Sequence, residues 1–214
     1  MKDRALVERL IAGNRRWANE IKKGDPEFFE RLSGEQKPMC LLIGCSDSRV
    51  PVDQVLGLAP GDAFVHRNVG NVVSHADLNC LSVIQFAVGV LRIEDVIVCG
   101  HFGCGAVAAA IEDQRHGLID NWLNGIRTVC DRVQEKLKTI ANDQERHDYV
   151  CEMNVLAQAY NVCRTSTVRD AWDRGQRVSV HGLIYSIRDG LLRDLHLHVS
   201  AADQVAEIVE RLRD

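Results

Sequence analysis

Four short apolar runs, MCLLIG (39–44), AFVHR (63–67), DVIVCG (95–100) and RVSVHGLIY (177–185), recur along the chain with helical patterns between most of them. Each has the length and composition of a β-strand. Strands alternating with helices favour an α/β fold, a mainly parallel sheet with helices on its faces. The helical segments are uneven. Residues 4–22 set Leu6, Val7, Leu10, Ile11, Trp17 and Ile21 at helical spacing, so this terminal helix must cover an apolar surface, its own core or a partner. Residues 76–91 are apolar enough for a buried helix, and 118–140 and 144–165 read as longer helices. LRDLHLHVS (192–200) alternates by twos and reads as an edge strand. With no repeat, low-complexity tract or Pro/Ser-rich linker, the expectation is one domain over 1–214: an N-terminal helical arm (1–34), an α/β core (35–200) and a C-terminal helix (201–214).

Charge narrows the function classes. The formal net charge is −4 with both signs mixed, so no basic stripe argues for nucleic acid. No stretch approaches the ~18 uninterrupted apolar residues of a membrane span. The start, MKDRALVERL, interleaves charges with apolar residues and lacks a signal-peptide core, which places the expected location in the cytoplasm. In that setting eight cysteines imply metal binding or plain burial rather than disulfides.

Two motifs carry chemistry. Cys45-Ser46-Asp47-Ser48-Arg49 directly follows the strand MCLLIG, and His101-Phe102-Gly103-Cys104 directly follows DVIVCG. Ligands bind at the carboxyl ends of strands in open α/β sheets, so two distant segments deliver thiolate, imidazole and thiolate to one edge. Zinc prefers such donors in a tetrahedron of four. The fourth place is open to water or to Asp47, and an exchangeable fourth position marks a catalytic site rather than a structural one.

Around these motifs, GCSDSRVP (44–51) and CGHFGCGA (99–106) closely resemble the signature pair of the β-class carbonic anhydrases. PGDAFVHRNVGN (60–71), HADLNCLSVIQFAV (75–88) and HGLIYSIRDGLLRDL (181–195) resemble further family segments, particularly of the bacterial branch, and the likeness runs from NRRW (14–17) to about residue 195. The resemblance implies reversible hydration of carbon dioxide to bicarbonate, one zinc per chain on Cys45, His101 and Cys104, and a homodimer or homotetramer whose pocket is completed across subunits. It makes Asp47 and Arg49 a gating dyad: Arg49 holds Asp47 off the metal in an open state, where Asp47 orients zinc-bound hydroxide, and in a closed state Asp47 is the fourth ligand. It assigns Gln36, Phe64 and Gly105 to the substrate pocket; because carbon dioxide is small and apolar, Val69 is a further candidate wall.

The departures are specific. Ala106 stands where many members carry a second glycine, and Phe86 where a tyrosine is common. Arg67 and Tyr185 match two residues of a non-catalytic bicarbonate pocket found in the regulated bacterial type, but Leu42 replaces that pocket's tryptophan. The proton's exit is open, with His66, His75 and His116 as candidates. Two other readings stay in play: a carbon disulfide or carbonyl sulfide hydrolase of the same architecture, and a non-catalytic zinc-stabilised scaffold. The Asp47–Arg49 dyad argues against the scaffold, which needs no exchangeable ligand.

Overall fold

CLLIGC forms a strand buried at all six positions, β1 (Cys40–Cys45). Burial on both faces is what the centre of a helix-covered parallel sheet requires. In the computed structural model, residues 2–112 and 114–213 are described. The chain separates into two compact units, Met1–Lys37 and Pro38–Asp214.

The first unit holds α1 (Lys2–Gly24) and α2 (Phe28–Leu32). Trp17 meets Phe29 edge-to-face at 5.6 Å. Leu6, Val7, Leu10, Ile11 and Trp17 nonetheless remain between 45% and 61% exposed among the described residues, so α2 alone leaves the apolar stripe open. A stripe of this kind is expected to be buried by a second copy. Sedimentation at micromolar concentration should therefore find a dimer or larger; a monomer with full activity would contradict this.

The second unit is built on one five-stranded sheet, ordered β2-β1-β3-β4-β5. To β1 it adds β2 (Ala63–Asn68), β3 (Asp95–His101), β4 (Ser179–Ser186) and β5 (Leu191–Val199). The first four are parallel, and β5 runs antiparallel on the β4 edge. The expected mainly parallel sheet and its edge strand are thus both present. Short α3 (Val52–Val55) follows β1, and α4 (Leu78–Gln85) precedes β3. The expected helix 76–91 is only partly α: residues 86–90 wind more widely, with Leu91 N–H donating to the Phe86 carbonyl at 2.9 Å. α5 (Gly105–Glu112) starts immediately after Cys104.

The expected helix 118–140 divides into α6 (Ile119–Arg132) and α7 (Gln134–Thr139). No Pro or Gly breaks it. Val133 at the joint is buried in the core, so packing of that side chain sets the kink. α8 (Asp143–Cys163) is capped by the Asn142 side chain. α9 (Ser166–Asp173) and α10 (Val205–Arg211) complete the chain.

One sheet face packs Leu41, Ile43, Val96, Val98 and Val180 against residues of α4, α8, α9 and α10. The other packs Cys40, Leu42 and Cys99 beneath Val50 and Val52. Among the described residues, no helix is long and apolar enough to cross a membrane.

Two glycines immediately precede strand-end residues of interest. A Cβ on Gly44 would collide with Val52 Cγ2, and one on Gly100 with Val155 Cγ2. Overpacking a filled core costs about 1–3 kcal/mol. Gly100→Ala should then lower the melting temperature by roughly 2–4 °C per kcal/mol in a chain of this size. An unchanged melting curve would show that Val155 simply yields.

Candidate metal centre

β1 and β3 are neighbours, with Gly44 paired to Cys99, so their carboxyl ends emerge side by side. Cys45 ends β1, His101 ends β3, and Cys104 lies at the start of α5. All three are buried, and their donor atoms lie within 4.8 Å of one another.

The local geometry suits a metal. The two sulfurs are 3.9 Å apart. Two thiolates on a tetrahedral zinc at ~2.3 Å would stand about 3.8 Å apart. His101 Nδ1 donates to the Phe102 carbonyl at 3.0 Å. A carbonyl only accepts, so Nδ1 holds the proton and the Nε2 lone pair is free. That Nε2 is buried and has no hydrogen-bond partner. A buried acceptor left unpaired is costly, and a cation between Nε2 and the two sulfurs resolves it.

Electrostatics agree. The hydrogen bond from the Cys104 thiol draws the Cys45 thiol down, helped by the Asp47 and Gly70 backbone N–H groups and opposed by its burial. Cys104 is pushed well up by the same bond and by burial. Protein groups alone therefore support one thiolate, and a divalent cation would support both. By contrast, burial raises Cys80, Cys99, Cys151 and Cys163 to about 12, which makes them inert packing groups.

Asp47 Oδ2 lies 3.8 Å from His101 Nε2. Arg49 grips this carboxylate from two sides, Nε to Oδ1 at 2.9 Å and Nη2 to Oδ2 at 2.6 Å. The Arg49 backbone N–H adds a bond to Oδ1 at 3.0 Å, and Nη2 also reaches the Gly103 carbonyl. Arg49 thereby holds the Asp47 carboxyl well below the usual carboxylate range.

Several supporting residues carry no signal in the two motifs. Arg67 donates to the carbonyls of Cys45, Asp47 and Val50, fixing the loop that carries the dyad. The Gly70 N–H points at Cys45 Sγ at 3.4 Å. That segment is pinned from α8: Asn154 donates to the Gly70 carbonyl, and Gln158 accepts from the Val73 N–H. His147 Nε2 donates to the Cys104 carbonyl at 3.1 Å. A hint was available, since Asn154 and Gln158 stand four apart among the apolar residues of α8.

Other candidates lie elsewhere. Phe64 pairs with Leu41 and stacks on Phe86 at 5.7 Å. It is four residues before Asn68, the partner of Cys45, hence about 13 Å down the strand from the metal end. Gln36 is exposed in the N-terminal unit, Val69 is 39% exposed, and Gly105 opens α5. Leu42 is fully buried. Tyr185 on β4 is half-buried opposite His101, with the Leu42 side of the sheet. His75 donates to the Asn161 carbonyl, and His116 is exposed.

His66, Asp77 and Cys80 form a second group with donor atoms within 4.8 Å. Its histidine is already engaged by a neighbouring side chain. The Asn68 amide is oriented by Val72, whose N–H donates to Oδ1, so its Nδ2 must donate to His66 Nε2. That bond occupies the Nε2 lone pair and leaves the proton on Nδ1.

A family model described as "Carbonic anhydrase" matches residues 40–192. A carbonic anhydrase of Emericella nidulans is 40% identical over 190 residues, 89% of this chain and 83% of the relative. One of Pseudomonas aeruginosa is 32% identical, covering 85% and 84%. The similarity is therefore not confined to bacterial members. Among solved structures, a tetrameric β-carbonic anhydrase of Sordaria macrospora superposes with a TM-score of 0.86 at 37% identity, covering 92% of this chain and all of the other. The Coccomyxa β-carbonic anhydrase in complex with acetazolamide gives 0.87 at 40% identity, covering 92% and 90%.

Proposed function

This chain belongs to the β-class carbonic anhydrases and is an enzyme of that family, and on that premise we propose that it interconverts carbon dioxide and bicarbonate with zinc on Cys45, His101 and Cys104 and with Asp47 and Arg49 as its gate. The observation that carries this reading is the buried, partnerless His101 Nε2 facing two thiols 3.9 Å apart, with an arginine-held carboxylate beside it. Zinc held by these donors acidifies water and so supplies a nucleophile near neutral pH.

The chain's own groups do the rest. Asp47, ionised and clamped by Arg49, accepts a proton-bearing bond from the attacking oxygen and turns that oxygen's lone pair toward the substrate carbon. With the clamp released, the same carboxylate, 3.8 Å from His101 Nε2, would be free to serve as a further donor to the metal. Val69 and Phe64 offer apolar wall for carbon dioxide, and the Gly105 N–H can hold an oxygen of bicarbonate; Gln36 is assigned to bicarbonate by the family resemblance. Phe64 stands far down β2 from its own Cys45, so its role requires the pocket of a second copy. Assembly into dimers or tetramers in the cytoplasm is part of this proposal.

Stopped-flow hydration across a pH series, with and without chelator, tests the reading. Activity should vanish with chelator and return with zinc. Carbon disulfide and carbonyl sulfide assayed alongside separate the rival hydrolase, and zinc content with no hydration at any pH would favour a scaffold.

Bicarbonate regulation is a finer question. Arg67 already donates from Nε and Nη2 to three carbonyls, and Leu42 offers no N–H, so tight bicarbonate binding beside Tyr185 is not expected. Leu42→Trp would overfill a buried site, so Tyr185→Phe is the cleaner test. Bicarbonate inhibition should stay within about twofold of wild type, where loss of a hydrogen bond to a charged ligand would shift it by roughly tenfold or more. A shift of that size would place bicarbonate on the Tyr185 hydroxyl.

A further inference from the structure

On the far edge of the sheet from β2, β4 and β5 place His181 directly opposite His198. Directly paired residues of an antiparallel ladder project from the same face. Here the two rings lie 5.0 Å apart between centroids, and their Nδ1 atoms are 3.5 Å apart.

The third member decides the chemistry. His181 Nε2 lies 2.9 Å from Asp95 Oδ1. An ionised carboxylate only accepts, so the His181 proton sits on Nε2 and its Nδ1 presents a lone pair to His198. A hydrogen bond from His198 Nδ1 would be at the outer limit of length. Two imidazole nitrogens on one tetrahedral zinc at ~2.05 Å stand about 3.4 Å apart, close to the separation seen. A histidine whose other nitrogen donates to a carboxylate is also the usual arrangement of a metal-bound imidazole.

The surroundings are made for access. His181 and His198 line a cavity of about 400 Å³, together with Asp95, Asp194, His196 and the apolar Leu183. The β4–β5 pairing slips between Gly182 and Leu183, and His196 in that irregularity takes a φ of 53°. Irregularities of this sort re-aim side chains beside functional sites. Despite it, His181 and His198 remain in register.

We infer that His181 and His198, oriented by Asp95, form a second divalent-metal site on the sheet edge, separate from the Cys45/His101/Cys104 centre, taking zinc or copper(II) exchangeably with water in the remaining positions. Such a cation would staple the edge strand β5 to β4.

The zinc-loaded enzyme is dialysed against excess zinc at about 100 µM, and bound metal is counted per chain by elemental analysis. Wild type should hold two equivalents, and His181→Ala and His198→Ala one each, with unchanged hydration activity as the control for folding. Asp95→Asn should keep the second site but weaken it by roughly 10–100-fold, the usual effect of losing an outer-shell partner. Copper(II) added to the zinc enzyme should give an electron paramagnetic resonance spectrum with nitrogen hyperfine splitting that His198→Ala abolishes. A single equivalent in wild type, or a second equivalent retained by both histidine variants, overturns the site. The count of two rests on the proposed function, because it takes the first equivalent to sit on Cys45, His101 and Cys104; the loss of one equivalent and of the copper signal in His198→Ala does not.

Discussion

Cys104→Ala is expected to leave the protein folded, nearly free of zinc after dialysis, and without measurable hydration activity. Cys104 would supply one of two thiolates to the proposed zinc, and its sulfur lies 3.9 Å from that of Cys45. Disturbing only an outer partner of a ligand costs ~10–100-fold in metal affinity, so removing the ligand itself should cost at least about a hundredfold. Cys99→Ala is the matched control. Cys99 is equally buried and only five residues away, yet it lies in the packing cluster under Val50 and its thiol is raised to about 12 by burial. That variant should lose some stability through the vacated volume but keep its zinc and turnover. Metal analysis and stopped-flow assay of both proteins check the pair of outcomes. Full zinc and normal turnover in Cys104→Ala would remove the basis for the metal centre.

The strands were legible because each is a bounded apolar run whose burial is decided locally. β1 and β3 begin and end within about one residue of the runs at 39–44 and 95–100. Helices were harder where tertiary packing overrides periodicity. The 118–140 pattern continues through Val133 on paper, but burying that side chain breaks the rod into α6 and α7. α9 carries only one start signal in the sequence, its Thr165 cap, whose hydroxyl accepts from the Val168 N–H. The strand order, with β1 between β2 and β3, has no local signature at all.

The metal motifs were legible for a different reason. Cys and His at two strand ends are chemically distinctive, and the topology of an α/β sheet brings such ends together. The residues that hold them in place were not. Asn154 reaches Gly70 across 84 positions and Gln158 reaches Val73 across 85, so neither bond exists until α8 docks. Arg67 read as a ligand-binding cation by resemblance. Its bonds to three carbonyls of the 45–50 loop give it a backbone-clamping task that spacing alone does not reveal. The His181–His198 pair depends on a register that an irregularity in β5 shifts along the ladder, which the alternation of 192–200 cannot specify.

Hydration should be faster in alkaline than in neutral solution, and Arg49→Ala should push that rise to higher pH. Asp47 has a folded pKa depressed chiefly by its Arg49 hydrogen bonds. A depressed carboxylate contributes stability that is present above the unfolded value of ~3.9 and lost as pH falls through the lower folded value. From pH 6 to 9 the carboxylate is therefore ionised throughout, and its protonation cannot cause a change in that window. What changes is its competitor. Hydroxide gains tenfold per pH unit, whereas the carboxylate's availability is constant, so under the proposed gate hydroxide would outcompete Asp47 for the metal only above a threshold pH. Arg49, which holds Asp47 through two guanidinium bonds of 2.9 and 2.6 Å, would lower that threshold. Charge-assisted bonds of this kind contribute ~1.5–3 kcal/mol. Their loss in Arg49→Ala should reduce turnover near neutral pH by roughly 10–100-fold, with the deficit narrowing as the solution becomes more alkaline. Arg49→Lys should recover only part, because an ammonium cannot reproduce the fork. The pH profiles of the three proteins, with crystal structures of the zinc-loaded variant at both ends of the range, decide the matter: Asp47 should be on the metal at low pH and off it at high pH. A profile lowered equally at every pH, with the same ligands at both extremes, would mean that Arg49 positions substrate and gates nothing.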